Sequence, residues 1–156
     1  MKTRIYIFLL LFVSVLGYSQ EAAVVKWYTV EEALAIQAKE GAKARPIFMD
    51  VYTDWCGPCK MLDKNTFSDP AVATLLNTKY IAVKFNAEGQ IKFTYNGTTY
   101  SNPNFNPDRK GRNSVHQFTN FLELEGYPTM VIIDPNFKKR KMIVGYYSAA
   151  DLLERI

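Results

Sequence analysis

The chain has 156 residues, a length that suits one domain with its own hydrophobic core. Lys and Arg number 19 against 15 Asp and Glu, a net charge of +4. Two of those basic residues, Lys2 and Arg4, lie ahead of an apolar run that begins at Ile5. Without them the balance is 17 against 15, or +2, which argues against nucleic acid or an anionic membrane surface as partner.

Lys2 and Arg4 followed by Ile5–Leu16 and the small residues of Gly17-Tyr18-Ser19 have the layout of a cleavable export signal. The apolar run is short for a membrane span, which needs about 20 residues. The expected division is a signal peptide over 1–19 and one domain over 20–156, destined for a periplasm or for secretion, with no stable membrane insertion after cleavage. Export also means a compartment in which thiols oxidise.

Along the chain, Lys26-Trp27-Tyr28 reads as a short first strand. Thr29-Val30-Glu31-Glu32 is a capping box that opens a helix, which Gly41 stops. Pro46–Tyr52 is a nearly continuous apolar run of strand length, the pattern of a strand buried on both faces. A helix is expected to follow through about Asn65, and Ser68-Asp69-Pro70 starts another over 71–76. Tyr80–Phe85 is a second buried strand. The pattern then lapses over the 25 residues from Gly89 to Asn113, where Asn96-Gly97 between alternating flanks signals a hairpin. Ser114–Gln117 predicts a capping box and a helix to Glu125, stopped by Gly126. Thr129–Ile133 and Lys141–Tyr146 predict an antiparallel pair turned by Asp134-Pro135-Asn136, and Ser148 caps a last helix to Ile156. The order implies an α/β domain: a central mixed sheet flanked by helices, with an inserted hairpin and loop over 89–113.

Both cysteines lie in Trp55-Cys56-Gly57-Pro58-Cys59-Lys60, between the first buried strand and its helix. A cysteine at a helix N-terminus meets unpaired N–H groups and the positive end of the dipole, which favour its thiolate. Cys59, one turn on, is placed to displace a mixed disulfide formed by Cys56. Gly57 and Pro58 suit a first helical turn, where a missing N–H is harmless. A zinc site needs about four ligands, and His116 is the only histidine; haem attachment needs a histidine where Lys60 stands. A structural staple closing so short a loop stabilises little. Asp50, among Phe48, Met49 and Val51, reads as a buried acid whose proton affinity burial would raise. Lys84 by itself could be no more than an exposed strand residue.

With these residues the chain resembles the thioredoxin superfamily, and within it the branch of exported bacterial thiol:disulfide interchange proteins. WCGPCK is that superfamily's active-site motif, and Phe67-Ser68-Asp69-Pro70-Ala71-Val72 resembles the exported branch. The resemblance implies a thioredoxin-like fold and a redox-active Cys56–Cys59 disulfide, with no other cofactor and no metal. It further implies that Asp50 relays protons for Cys59, that Lys84 pairs with Asp50, and that Tyr127-Pro128 forms a cis-proline loop facing the disulfide. Trp55, Gly57, Pro58, Tyr127, Pro128 and Gly145 would line the groove for a substrate strand. The implied activity is that of a thiol–disulfide oxidoreductase, a monomer, reducing protein disulfides and recharged by a membrane electron transporter. Two departures stand out: Tyr52 replaces a common tryptophan, and the segment 89–113 has no counterpart in a minimal thioredoxin. An oxidase or isomerase, or a binding module that uses the insertion, are the alternatives. The aromatics Phe93, Tyr95, Tyr100 and Phe105 either pack the insertion down or present a docking patch.

Overall fold

A computed structural model describes residues 23–137 and 140–156; the expected export signal lies outside them. The core is a four-stranded sheet built from β1 (Ile47–Tyr52), β2 (Ile81–Asn86), β5 (Thr129–Ile133) and β6 (Arg140–Val144) in the order β2-β1-β5-β6. β1 and β2 run parallel, whereas β1–β5 and β5–β6 are antiparallel, so the sheet is mixed as expected.

Alternation along the strands divides the core. Ile47, Met49 and Val51 of β1 and Ile81, Val83 and Phe85 of β2 face α1 (Val30–Glu40) and α4 (Gln117–Leu122). Phe48 and Ala82, with Met130 of β5, face α2 (Gly57–Asn65), α3 (Pro70–Lys79) and α5 (Ala149–Leu153). Caps fix the helix starts. Thr29 and Glu32 form the capping box of α1, Asp69 Oδ1 accepts from Ala71 and Val72 ahead of α3, and Ser148 caps α5.

The insertion is part of the core. β3 (Phe93–Tyr95) and β4 (Thr98–Tyr100) form the expected hairpin, with Asn96 and Gly97 both at positive φ (48° and 77°), as a two-residue turn of this hand requires. Phe93 and Tyr95 are buried with Phe85 and Phe118, and Tyr100 packs beside them; Phe105 is half-buried outside that cluster. Asn102 ties the two ends of the segment together. Its amide donates to the carbonyls of Gly89 (3.0 Å) and Ser114 (2.7 Å), and its carbonyl accepts from the Ser114 hydroxyl (2.7 Å). Asn102→Ala should therefore destabilise the protein by about 1–3 kcal/mol, because buried partners lose their hydrogen bonds, and urea denaturation would measure it.

Four expectations need correction. Lys26–Tyr28 is not a full strand: only Tyr28 bridges, to Val83, because the Asn77 side chain takes the Lys26 N–H. The start of α4 is capped by buried His116 rather than by a Ser114–Gln117 box. Its Nδ1 accepts from the Phe118 N–H (3.0 Å) and its Nε2 bonds the Ile91 carbonyl in the insertion (2.7 Å). α4 also ends three residues before Glu125, at Leu122, where Glu123 turns left-handed and Arg140 takes the Phe121 carbonyl. The last helix stops at Leu153, and the Lys141 ammonium caps the Arg155 carbonyl.

Candidate active site

The strand-to-helix turn after β1 puts Cys56 at the N-cap of α2, with Gly57 and Pro58 in the first turn. The Cys59 N–H donates to the Cys56 sulfur (3.1 Å) and the Cys56 N–H to the Thr53 carbonyl (3.1 Å). Cys56 and Cys59 are joined as a disulfide, with Cα atoms 5.3 Å apart, and are 3% and 2% exposed. A sulfur at this position receives the partial positive charge of the helix end, which lowers the energy of a thiolate once the bond is reduced.

A charged cluster lies on the α2 side of the sheet. The parallel register sets Asp50 beside Lys84, and the ammonium donates to Asp50 Oδ2 (2.6 Å). The same ammonium pairs with Asp63, a residue the sequence reading missed. Asp63 stands four residues beyond Cys59, on the same face of α2. Lys84 also lies over the rings of Trp27 (4.9 Å), Tyr52 (5.1 Å) and Phe67 (5.3 Å), so the Tyr52 that departs from the common tryptophan is a cation–π partner. Burial lifts the Asp50 carboxyl to about 6, against the opposing charge and hydrogen bond of Lys84, with Asp63 pushing further upward. For Lys84 burial acts downward, but the charge and hydrogen bond of Asp50, together with those of Asp63, outweigh it and hold the ammonium above its usual range. Asp50 Oδ1 is buried with no hydrogen-bond partner among the described residues, an acceptor left open for a proton.

The Tyr127–Pro128 peptide bond is cis. Gly145, at φ +99°, donates its N–H to the Pro128 carbonyl (2.8 Å), which joins the end of β6 to that loop. Trp55 is 37% exposed, and its ring meets Tyr127 edge-on at 5.9 Å. Its Nε1–H donates to Glu88 Oε2 (3.0 Å), and the same oxygen accepts from the Asn113 N–H (2.7 Å). The Arg112 guanidinium lies 4.3 Å from the Trp55 ring centre. Glu88, just before the insertion, and Arg112, near its end, thus both reach the residue that precedes Cys56, and neither could be picked out from local sequence. Among the described residues no group of three His, Cys, Asp or Glu gathers in a way that could hold a metal ion.

The family described as "Thioredoxin-like domain" matches residues 30–156. The thiol:disulfide interchange protein DsbD of Vibrio vulnificus (strain CMCP6) is 44% identical over 63 residues, 37% of this chain and 10% of that protein. The DsbD of Escherichia coli (strain K12) is 50% identical over 40 residues, 26% of this chain and 7% of that protein. The chain thus spans a tenth or less of the length of these relatives. Among solved structures, a putative disulphide-isomerase from Bacteroides thetaiotaomicron superposes with a TM-score of 0.58 at 24% identity, covering 86% of this chain and 92% of that one. The oxidised C-terminal domain of DsbD from Neisseria meningitidis gives 0.52 at 18% identity, covering 83% and 96%. At these identities the superpositions speak for the fold. The chain belongs to the thioredoxin-like family, and with its Cys56–Cys59 pair it is a thiol–disulfide oxidoreductase.

Proposed function

We propose that the protein works outside the cytosol as a reductant of protein disulfides. The observation that carries this is Cys56 at the N-cap of α2, its sulfur already accepting the Cys59 N–H. In the reduced enzyme the Cys56 thiolate attacks one sulfur of a substrate disulfide; a Cys56–substrate bond forms and the other substrate sulfur leaves as a thiolate. Asp50 takes the Cys59 proton, and the new thiolate attacks the Cys56 sulfur. The second substrate thiolate then leaves, two electrons have passed to substrate, and the enzyme holds the Cys56–Cys59 disulfide. Lys84 steadies the ionised form of Asp50. The Tyr127 backbone beside Pro128, together with Trp55, Gly57, Pro58 and Gly145, receives the substrate as an extended strand.

The Gly-Pro pair between the cysteines resembles that of reducing members of the superfamily and favours this direction. A membrane-bound redox protein is the expected electron donor; the similarity to DsbD, a thiol:disulfide interchange protein by name, supports thiol–disulfide exchange as the chemistry. The basic and apolar start of the chain supports export, and the active unit is taken as a monomer. Equilibration of the purified protein with glutathione tests the direction. A midpoint of about −270 mV is expected, and one of about −120 mV would make the protein an oxidant instead.

A further inference from the structure

The insertion brings Arg112 onto Trp55, whose ring also meets Tyr127. Tyr127 meets one part of the indole edge-on (5.9 Å), and the Arg112 guanidinium lies over the ring at 4.3 Å. The indole cannot swing freely, because Glu88 holds its N–H (3.0 Å) and is held in turn by the Asn113 N–H (2.7 Å). Arg112 is therefore held against a ring that is itself anchored, while its N–H donors have no hydrogen-bond partner among the described residues and the side chain is exposed. A guanidinium held over an aromatic ring with unpaired donors is a preorganised receptor for a carboxylate, with which it pairs in a planar, bidentate fashion.

The charge around it points the same way. Residues 89–113 carry Lys92, Arg109, Lys110 and Arg112 against the single acid Asp108, a sum of +3, and Arg109 and Lys110 are exposed beside Arg112 in sequence. Glu88 is the opposing charge beside Trp55, and its Oε2 is engaged by Trp55 and Asn113. Asp54, exposed next to Trp55, is bonded by the Asn86 amide (3.1 Å).

We infer that Arg112 is a specificity-determining residue: it recognises an aspartate or glutamate close to the reactive cysteine of the protein substrate. This deepens the reductase reading and rests on it, because the recognised segment is the one whose sulfur Cys56 attacks. The insertion is then the device that fits a general thioredoxin-like centre to acidic partners.

Two disulfide-linked peptides, identical except for Glu or Gln two residues from the reacting cysteine, test the inference by stopped-flow measurement of kcat/KM. The unmodified protein is expected to favour the Glu peptide by about five- to tenfold in low salt, a charge-assisted contact at an exposed site, with the preference shrinking as salt screens it. In Arg112→Ala the Glu-to-Gln ratio should fall to about one, Arg112→Lys should keep part of it, and Arg112→Glu should invert it. The ratio is taken within each protein, so a general change in activity cancels. An unmodified protein indifferent to Glu and Gln, or an Arg112→Ala protein that keeps the preference, overturns the inference. The uncharged bis(2-hydroxyethyl) disulfide separates the two levels. If the unmodified protein reduces it but ignores the Glu–Gln difference, only the role of Arg112 falls; if it reduces neither it nor the peptides, the reductase reading falls as well.

Discussion

Cys59→Ser should turn the enzyme into a trap. After reduction, its Cys56 thiolate can still attack a substrate disulfide, but nothing one turn along α2 remains to displace the substrate from Cys56. A covalent enzyme–substrate species should accumulate, visible on a non-reducing gel and dissolved by dithiothreitol. Cys56→Ser should form no such species. The helix position separates the two sulfurs: Cys56 is the N-cap residue and receives the Cys59 N–H, whereas Cys59 belongs to the helix interior side of that bond. Only the first is stabilised as a thiolate by the helix end, and only the first adjoins Trp55 in sequence. Both substitutions should lower the catalysed reduction of insulin by at least about a thousandfold, since each removes a member of a unit that acts only when complete. A Cys56→Ser protein that keeps its activity would refute the mechanism. A trap formed through Cys59 rather than Cys56 would reverse the assigned roles.

The redox pair and its acid were legible because they sit in regular elements. A nearly continuous apolar run marks β1 as buried on both faces, and Asp50 inside it has no solvent to face. Lys84 gained its meaning only from parallel register, which pairs it with Asp50 across the sheet. Asp63 escaped notice because a half-exposed acid on a helix looks like ordinary solvated surface. Its spacing of four from Cys59 was the signal available, and it matters because β2 places the Lys84 ammonium against that same face. The junction of insertion and site was beyond local reading altogether. Glu88 and Arg112 are 24 positions apart in sequence and meet Trp55 only because Asn102 closes the segment and Phe93 and Tyr95 anchor it in the core. The cap of α4 shows the same limit on a smaller scale. Ser114 and Gln117 have the right spacing for a capping box, yet His116 wins the position because its second ring nitrogen reaches the Ile91 carbonyl, a contact made by folding the insertion back.

Asp50→Asn is expected to move activity and stability in opposite directions. As the proton acceptor for Cys59, Asp50 should contribute about a hundredfold to resolution of the mixed disulfide; the native enzyme should gain rate through pH 6, and the variant should resolve slowly at pH 7 and lack that rise. Stability follows from the same burial. Below pH 3.8 the carboxyl is protonated whether the chain is folded or not. Between 3.8 and about 6 the folded protein still holds a proton that the unfolded chain has released, so stability falls as pH rises; above about 6 the loss is complete. That interval, at about 1.36 kcal/mol per pH unit, amounts to about 3 kcal/mol by pH 8. Asparagine keeps the shape without the charge, and Lys84 is not stranded by the change because Asp63 still pairs with it. The oxidised variant, in which the cysteines do not titrate, should therefore be more stable than the native protein by about 1–3 kcal/mol at pH 8 and no more stable at pH 3.5, as urea denaturation at the two pH values would show. Were the variant less stable at pH 8, the Asp50–Lys84 pair would be a net support of the fold, and burial would not be what raises the proton affinity of Asp50. A gain in stability joined to a loss of resolution would instead mark Asp50 as a charge retained at the expense of the fold, for the proton it moves.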